Sequence, residues 1–257
     1  MGRTLALVFG AISYGIFFLT FLYLIGFVGN LAVPKSIDSG MTTGTGAAWL
    51  INVVLLALFG IQHSVMARPA FKKRWTQFVP AAVERSTFVL LASLVLILLY
   101  WQWRPMTQVI WSIQAIWGQY LMWALFFGGF TIVLLSTFVI DHFDLFGLRQ
   151  VMLNLRRQAY THPSFKVTYF YRFVRHPLYS GFLMAFWATP QMTLGHLLFA
   201  VGMTTYILIA IRYEERDLIL FHGQDYVNYR ASVPMLVPRL GRVHQTVRPQ
   251  VSGQPGR

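Results

Sequence analysis

Arg175-His176-Pro177-Leu178-Tyr179-Ser180-Gly181 opens a stretch, Leu178 to Ile211, that contains no Lys, Arg, Asp or Glu, and Arg212-Tyr213-Glu214-Glu215-Arg216-Asp217 follows it directly. The uncharged stretch has 34 residues, whereas roughly 20 apolar residues are enough to cross a bilayer. Ala188-Thr189-Pro190-Gln191 interrupts it, so the pattern reads as a hairpin with arms Leu178–Thr189 and Thr193–Ile211. At 1.5 Å per residue the first arm reaches only about 18 Å, against roughly 30 Å of hydrocarbon. It therefore crosses in part, or borrows residues before Pro177. A hairpin returns the chain to the surface it left. Arg-His-Pro and Glu-Glu then share one side of the bilayer, a place for a charged small molecule beside an apolar chamber.

Composition agrees with a membrane chain. Charged residues make up 11% of the 257, where a soluble domain carries roughly 25%. Four further runs, about 4–28, 47–66, 86–103 and 116–140, are long enough to span. The expected fold is all-α: a polytopic helix bundle of four full spans plus the hairpin, five to six transmembrane helices in all. Residues 1–238 read as one domain. From about 239 onward the chain is rich in Gly, Pro, Gln and Arg and is expected to be disordered. No signal-peptide cleavage pattern follows the first apolar run, which reads as a retained helix.

The net charge of +13 would suggest nucleic acid in a soluble protein. Here the basic residues read as cytoplasmic loop anchors. Of the 21 Lys and Arg, all but Lys35 and Arg104 fall on one side of the expected topology. Both termini are therefore predicted to be cytoplasmic. Cysteine is absent, which excludes disulfides, a Cys nucleophile and Cys-ligated metals. The histidines, at 63, 142, 162, 176, 196, 222 and 244, form no metal-ligand motif, and no phosphate-loop pattern occurs.

That topology gathers polar residues on the cytoplasmic face. The second span ends with Gln62-His63-Ser64, the fourth with Asp141-His142-Phe143-Asp144. Ionisable groups at membrane depth usually face an interior cavity. Arg175 with His176, ahead of Pro177 at a helix start, can receive an anion, and Tyr179 and Gly181 would face or admit the ligand. Equally, Arg175 can be an interfacial anchor and His176 a cap. Glu214 and Glu215 can capture a ribose diol or a cation, or simply pair with Arg212 and Arg216. His63 and Gln62 can hold a substrate or link helices. Phe143 can close an apolar chamber with Asp144 and Gln150 as its polar contacts, or His142 and Asp144 can simply be interfacial and solvated.

The ordered set Arg175-His176-Pro177-x-Tyr179-x-Gly181, hairpin, Glu214-Glu215, then Tyr226-x-x-Tyr229-Arg230-x-x-Val233-Pro234 resembles the isoprenylcysteine carboxyl methyltransferase and phospholipid methyltransferase superfamily. Upstream, Gln62-His63-Ser64-Val65-Met66-Ala67-Arg68-Pro69, Glu84-Arg85-Ser86-Thr87 and His142 through Gln150 are similar to bacterial methanethiol S-methyltransferases, with NnrU-like proteins sharing part of the pattern. The resemblance implies an S-adenosylmethionine-dependent enzyme of the bacterial inner membrane that converts methanethiol, a small volatile thiol, to dimethyl sulfide. It implies that Arg175, His176, Pro177, Tyr179, Gly181, Glu214 and Glu215 hold the cofactor on the cytoplasmic side.

The expected chemistry is in-line displacement, sulfur attacking the sulfonium methyl. A proton acceptor helps, because the thiolate is the nucleophile. Asp144, His142 and His63 are the candidates, in that order, with Gln62, Phe143 and Gln150 as substrate contacts. Two other readings remain: a related methyltransferase with a larger lipid-like or isoprenylcysteine-like acceptor, and a transporter or accessory protein without chemistry.

Overall fold

The computed structural model describes residues 2–161 and 169–239. In chain order its helices are α1 (Arg3–Gly29), α2 (Thr45–Ala67), α3 (Pro69–Trp75), α4 (Ala81–Gln102), α5 (Ile116–Ile140), α6 (His142–Leu145), α7 (Leu148–Leu155), α8 (Pro177–Trp187), α9 (Leu194–His222) and α10 (Gln224–Ser232). Of these α1, α2, α4, α5 and α9 are long and apolar enough to cross a membrane. The protein is an all-α polytopic membrane bundle. The four spans expected from hydropathy appear within a few residues of their expected bounds. The expected disordered tail, Lys166, His162 and His244 lie outside the described residues, apart from Arg239 at the tail's start.

The hairpin is present but unequal. Its short arm is α8, 11 residues long and so about 16 Å. Pro177 sits at the helix start, where its missing N–H is no loss. α8 lies against α5, and the crossing is close because Gly129 and Gly181 face each other. A Cβ on Gly181 would come within 2.6 Å of the Gly129 carbonyl oxygen, and one on Gly129 within 2.6 Å of that of Gly181. Small residues let helix backbones approach in this way.

The long arm overturns one expectation. α9 does not stop at Ile211. It continues as helix through Arg212–Asp217 to His222, ending at Gly223 with φ of 56°. Charge ends the hydropathy signal there, but Arg, Glu and Leu are good helix formers, and no Gly or Pro interrupts them. Glu214 and Glu215 therefore sit inside a helix, two turns before its end.

Between the hairpin arms, β2 (Gln191–Thr193) pairs antiparallel with β1 (Val109–Ser112), Trp111 opposite Met192. This ribbon belongs to a closed cap. Trp103 donates its indole N–H to the Ile37 carbonyl at 3.1 Å, and both residues are fully buried. The Asn52 amide spans the backbone of Arg104, donating to its carbonyl at 2.8 Å and accepting from its N–H at 2.9 Å. Phe27, Phe186 and Phe199 pack behind Trp103. At the opposite end α7 docks on α1 through Val151 against Gly10.

Candidate active site

At the arginine-rich end, one carboxylate organises the start of α8. Glu215, buried on α9, accepts from Arg175 Nε at 2.8 Å and lies 3.1 Å from His176 Nε2 and 3.3 Å from Arg230 Nε. The segment after α10 completes the arrangement. Arg175 Nη1 donates to the Arg230 carbonyl at 3.0 Å and the Val233 carbonyl at 2.5 Å. The backbone N–H groups of Arg175 and His176 donate to Pro234 and Met235. Ser180 Oγ donates to Leu236 at 2.7 Å, and Tyr229 donates to the Tyr171 carbonyl at 2.7 Å. Glu215 is thus a structural hub whose charge is spent on its neighbours.

Glu214 is the other half of the pair and behaves differently. Its side chain is 42% exposed and lies 3.9 Å from His176 Nδ1. Tyr179, Tyr171 and Tyr226 are close enough to feel its charge. Burial, reinforced by the Glu214 charge at Tyr171 and by those of Glu215 and then Glu214 at Tyr226, pushes both of those phenols above their ordinary pKa. The result is a half-exposed carboxylate ringed by neutral tyrosines.

This ring forms one end of a cavity of about 1250 Å³. Arg175, His176, Tyr179 and Glu214 line it, and so do His63 and His142. The deep part is hydrocarbon: Leu24, Phe59, Phe186 and Phe199. Trp103 and Ile37 are not among its walls, so the closed cap lies beyond its floor. Pro177, Gly181 and Glu215 stand behind the wall rather than in it. Gly181 serves the α5 crossing instead of admitting a ligand.

The three proton-acceptor candidates fare differently. Asp144, first in order from the sequence, does not line the cavity. Its carboxylate is occupied by Arg149 at 3.1 Å, Gln150 at 3.3 Å and the Tyr160 hydroxyl at 3.1 Å. The turn at Gly147, φ 89°, folds Arg149 and Gln150 back onto it, so Gln150 also serves this cluster rather than the cavity. Phe143 is 54% exposed on the outer surface and is likewise absent from the cavity wall.

His142 lines the cavity but is already bonded on both nitrogens. Thr137 Oγ1 donates its proton to the Leu134 carbonyl at 2.6 Å. At 2.8 Å from His142 Nδ1 it can therefore only accept, which puts the ring proton on Nδ1. Nε2 then accepts from the Tyr14 hydroxyl at 2.8 Å. Burial holds the imidazole below its ordinary pKa, against an opposing pull from Asp141. This is a neutral clasp joining α1 to α6.

His63 has no such partners. Its ring packs among Phe59, Phe88 and Tyr206, tilted or edge-on, with centroids 4.8 to 6.1 Å apart. Nδ1 is buried without a hydrogen bond among the described residues, as is Oε1 of neighbouring Gln62. Gln62 Nε2 contacts the Met66 sulfur, and the residue does not line the cavity. A buried polar atom without a partner calls for an explanation, and beside a cavity the simplest one is a ligand.

Sequence reading missed Tyr14, Thr137, Tyr171 and Tyr206. Tyr14 and His142 are 128 positions apart, and nothing in local spacing links them.

Comparison with known proteins adds the lineage. The chain is 53% identical over 238 residues to the methanethiol S-methyltransferase of Mycobacterium tuberculosis, covering 93% of this chain and 98% of that one. The chain belongs to the methanethiol S-methyltransferase family. Methanethiol S-methyltransferase 2 of Bradyrhizobium diazoefficiens is similarly 53% identical, over 93% and 92% of the two chains. Mouse Nurim is more distant, 28% identical over 185 residues. No family model matches the chain, and no solved structure does. Membership makes the chain a thiol S-methyltransferase, an enzyme, and the family provides the frame for the cavity.

Proposed function

We propose that this protein methylates methanethiol to dimethyl sulfide, with S-adenosylmethionine as donor bound at the Glu214 end of the cavity and that end facing the cytoplasm. The carrying observation is the pairing of a half-exposed carboxylate, ringed by tyrosines, with a hydrocarbon chamber closed at its far side. The residues present suit the donor. Glu214 can take its ribose hydroxyls or attract its cation, to which the tyrosine faces also contribute. Arg175 uses Nε and Nη1 internally, and its second amino group, without a partner among the described residues, can meet a carboxylate.

The donor supplies an activated methyl group. The protein supplies position and a dry site. Methyl transfer needs the two sulfurs and the methyl carbon nearly in line, and fixing that geometry removes much of the barrier. His63 accepts the S–H of the thiol and orients the sulfur. It takes this role over Asp144, whose oxygens are occupied outside the cavity. Replacing His63 with Phe keeps the aromatic packing and should lower kcat/KM for the thiol by roughly 10²-fold, at the low end of general acid–base effects, with donor affinity unchanged. Equal loss of donor affinity would shift His63 to the donor site.

The decisive assay is headspace gas chromatography of purified protein given methyl-labelled S-adenosylmethionine and methanethiol. Labelled dimethyl sulfide is expected, and its absence removes the acceptor. The closed cap argues against a transport route. Trp103, Ile37 and Asn52 would all have to part to open one.

A further inference from the structure

The cavity wall is incomplete on one side. Among the residues lining it, Val133 and Thr137 of α5 are nearly fully buried, as inward-facing residues should be. Phe18 of α1 and Leu134, Leu135, Phe138 and Ile140 of α5 also line it, yet are 40–55% exposed. A residue that both lines a cavity and shows on the outer surface marks a rim. All five belong to two spanning helices.

The helix packing explains the gap. α1 rests on α4 and α7, while α5 rests on α8 and α6. α1 and α5 approach each other at Gly29 against Phe126, and at Phe21 against Phe130 with ring centroids 5.9 Å apart. Nearer the arginine-rich end they are joined again, indirectly, by Tyr14 hydrogen-bonded to His142. Phe21–Phe130 is the lintel of an opening and Tyr14–His142 its sill. Seven residues of α1 separate the two, so the opening is about 10 Å tall. Its sides are Phe18 on α1 and Leu134 and Leu135 on α5.

We propose that this window between α1 and α5 admits the methyl acceptor from the bilayer, so that acceptor and donor reach the site by separate routes. The chemistry of the rim chooses between them. Every side chain at its sides is hydrocarbon and stands at membrane depth, which suits a small apolar thiol dissolved in lipid and excludes a zwitterionic nucleoside. The polar ring around Glu214 is carried by other elements: Tyr171, Tyr179 of α8, Glu214 of α9 and Tyr226 of α10. The acceptor's identity rests on the methyl-transfer reading above; the window itself does not.

The test uses the absence of native cysteine. Phe182, a cavity-lining residue, is changed to Cys in protein reconstituted into liposomes. Its modification by N-dodecylmaleimide, which resides in the bilayer, is then timed. Adding Leu135→Trp should slow modification by at least ~10-fold, equivalent to about 1.4 kcal/mol of barrier. Leu134→Ala with Leu135→Ala should speed it. Leu19→Trp, on the outer face of α1 and not at the cavity, should leave it unchanged. A rate insensitive to both the blocking and the widening changes overturns the window. In the native Phe182 background, Leu135→Trp should also lower kcat/KM for methanethiol while donor affinity by calorimetry stays the same. If the unaltered protein makes no dimethyl sulfide, the acceptor assignment falls, and the maleimide rates still decide the window alone.

Discussion

At the capped end of the bundle, Asn52 gives both halves of its amide to the backbone of Arg104, and the Trp103 indole is matched to Ile37. At the arginine-rich end, Glu215 is saturated in the same manner, but its neighbour Glu214 is left half exposed and His63 Nδ1 has no hydrogen-bond partner among the described residues. The first end uses its polar groups to close the structure. The second divides them: Glu215, Arg175 and Arg230 build the frame, and Glu214 and His63 are held open within it. Adjacent residues on one helix thus carry different duties, which the doublet Glu-Glu alone does not reveal.

Changes at the frame should have the largest effect. Arg175→Ala strands the buried carboxylate of Glu215, a defect that costs about 3–5 kcal/mol when one partner of a buried pair is lost. Thermal unfolding in detergent should show that loss, and methyl transfer should fall with it because the start of α8 no longer holds its place. Asn52→Leu at the cap is next. It leaves the part-buried N–H and carbonyl of Arg104 without their side-chain partner, at up to about 1–3 kcal/mol each, yet kcat measured well below the melting temperature should be unchanged. If kcat falls as well, the two ends are not independent.

Glu214→Gln inverts that pattern. Stability should stay near wild type, while donor affinity by calorimetry should weaken by about tenfold or more, the value of one or two charged hydrogen bonds. The smallest effect should be at His142, and it depends on pH. Its folded-state pKa lies below the ordinary value near 6.5, so the unfolded chain takes up a proton first as pH falls. The stability this ring contributes is present above about 6.5 and is lost as pH drops through its lower folded-state value. Melting temperatures of His142→Phe should lack that slope.

Much of the fold was legible because lipid leaves a strong mark on sequence. α1, α2, α4 and α5 follow from uninterrupted hydrocarbon, and the α8–α9 break follows from Ala188-Thr189-Pro190-Gln191. The far end of α9 was not legible, because charged residues end a hydropathy signal without ending a helix. In the site, Arg175, His176 and the glutamates stood out as polar groups at an apolar boundary. Their division of labour depended on Arg230 and on carbonyls some 60 positions later in the chain. Asp144 drew attention as a carboxylate in an aromatic run, but its partners Arg149 and Tyr160 arrive through turns that no periodicity records. Tyr14 is a lone tyrosine in an aromatic helix until α6 meets it.

The pairing of Arg175, His176 and Ser180 with Val233 to Leu236 also sets an order of assembly. All five spans are complete once His222 has been made, and the bilayer can accept them at that point. The carbonyls that fix the start of α8 come from the residues translated after α10. A chain ending at Ser232 would therefore be inserted like the full protein but lack the backbone acceptors that hold the Arg-His-Pro turn. Membrane integration and maturation of the pocket are thus separate events in the life of this chain, and the second waits for the residues that follow α10.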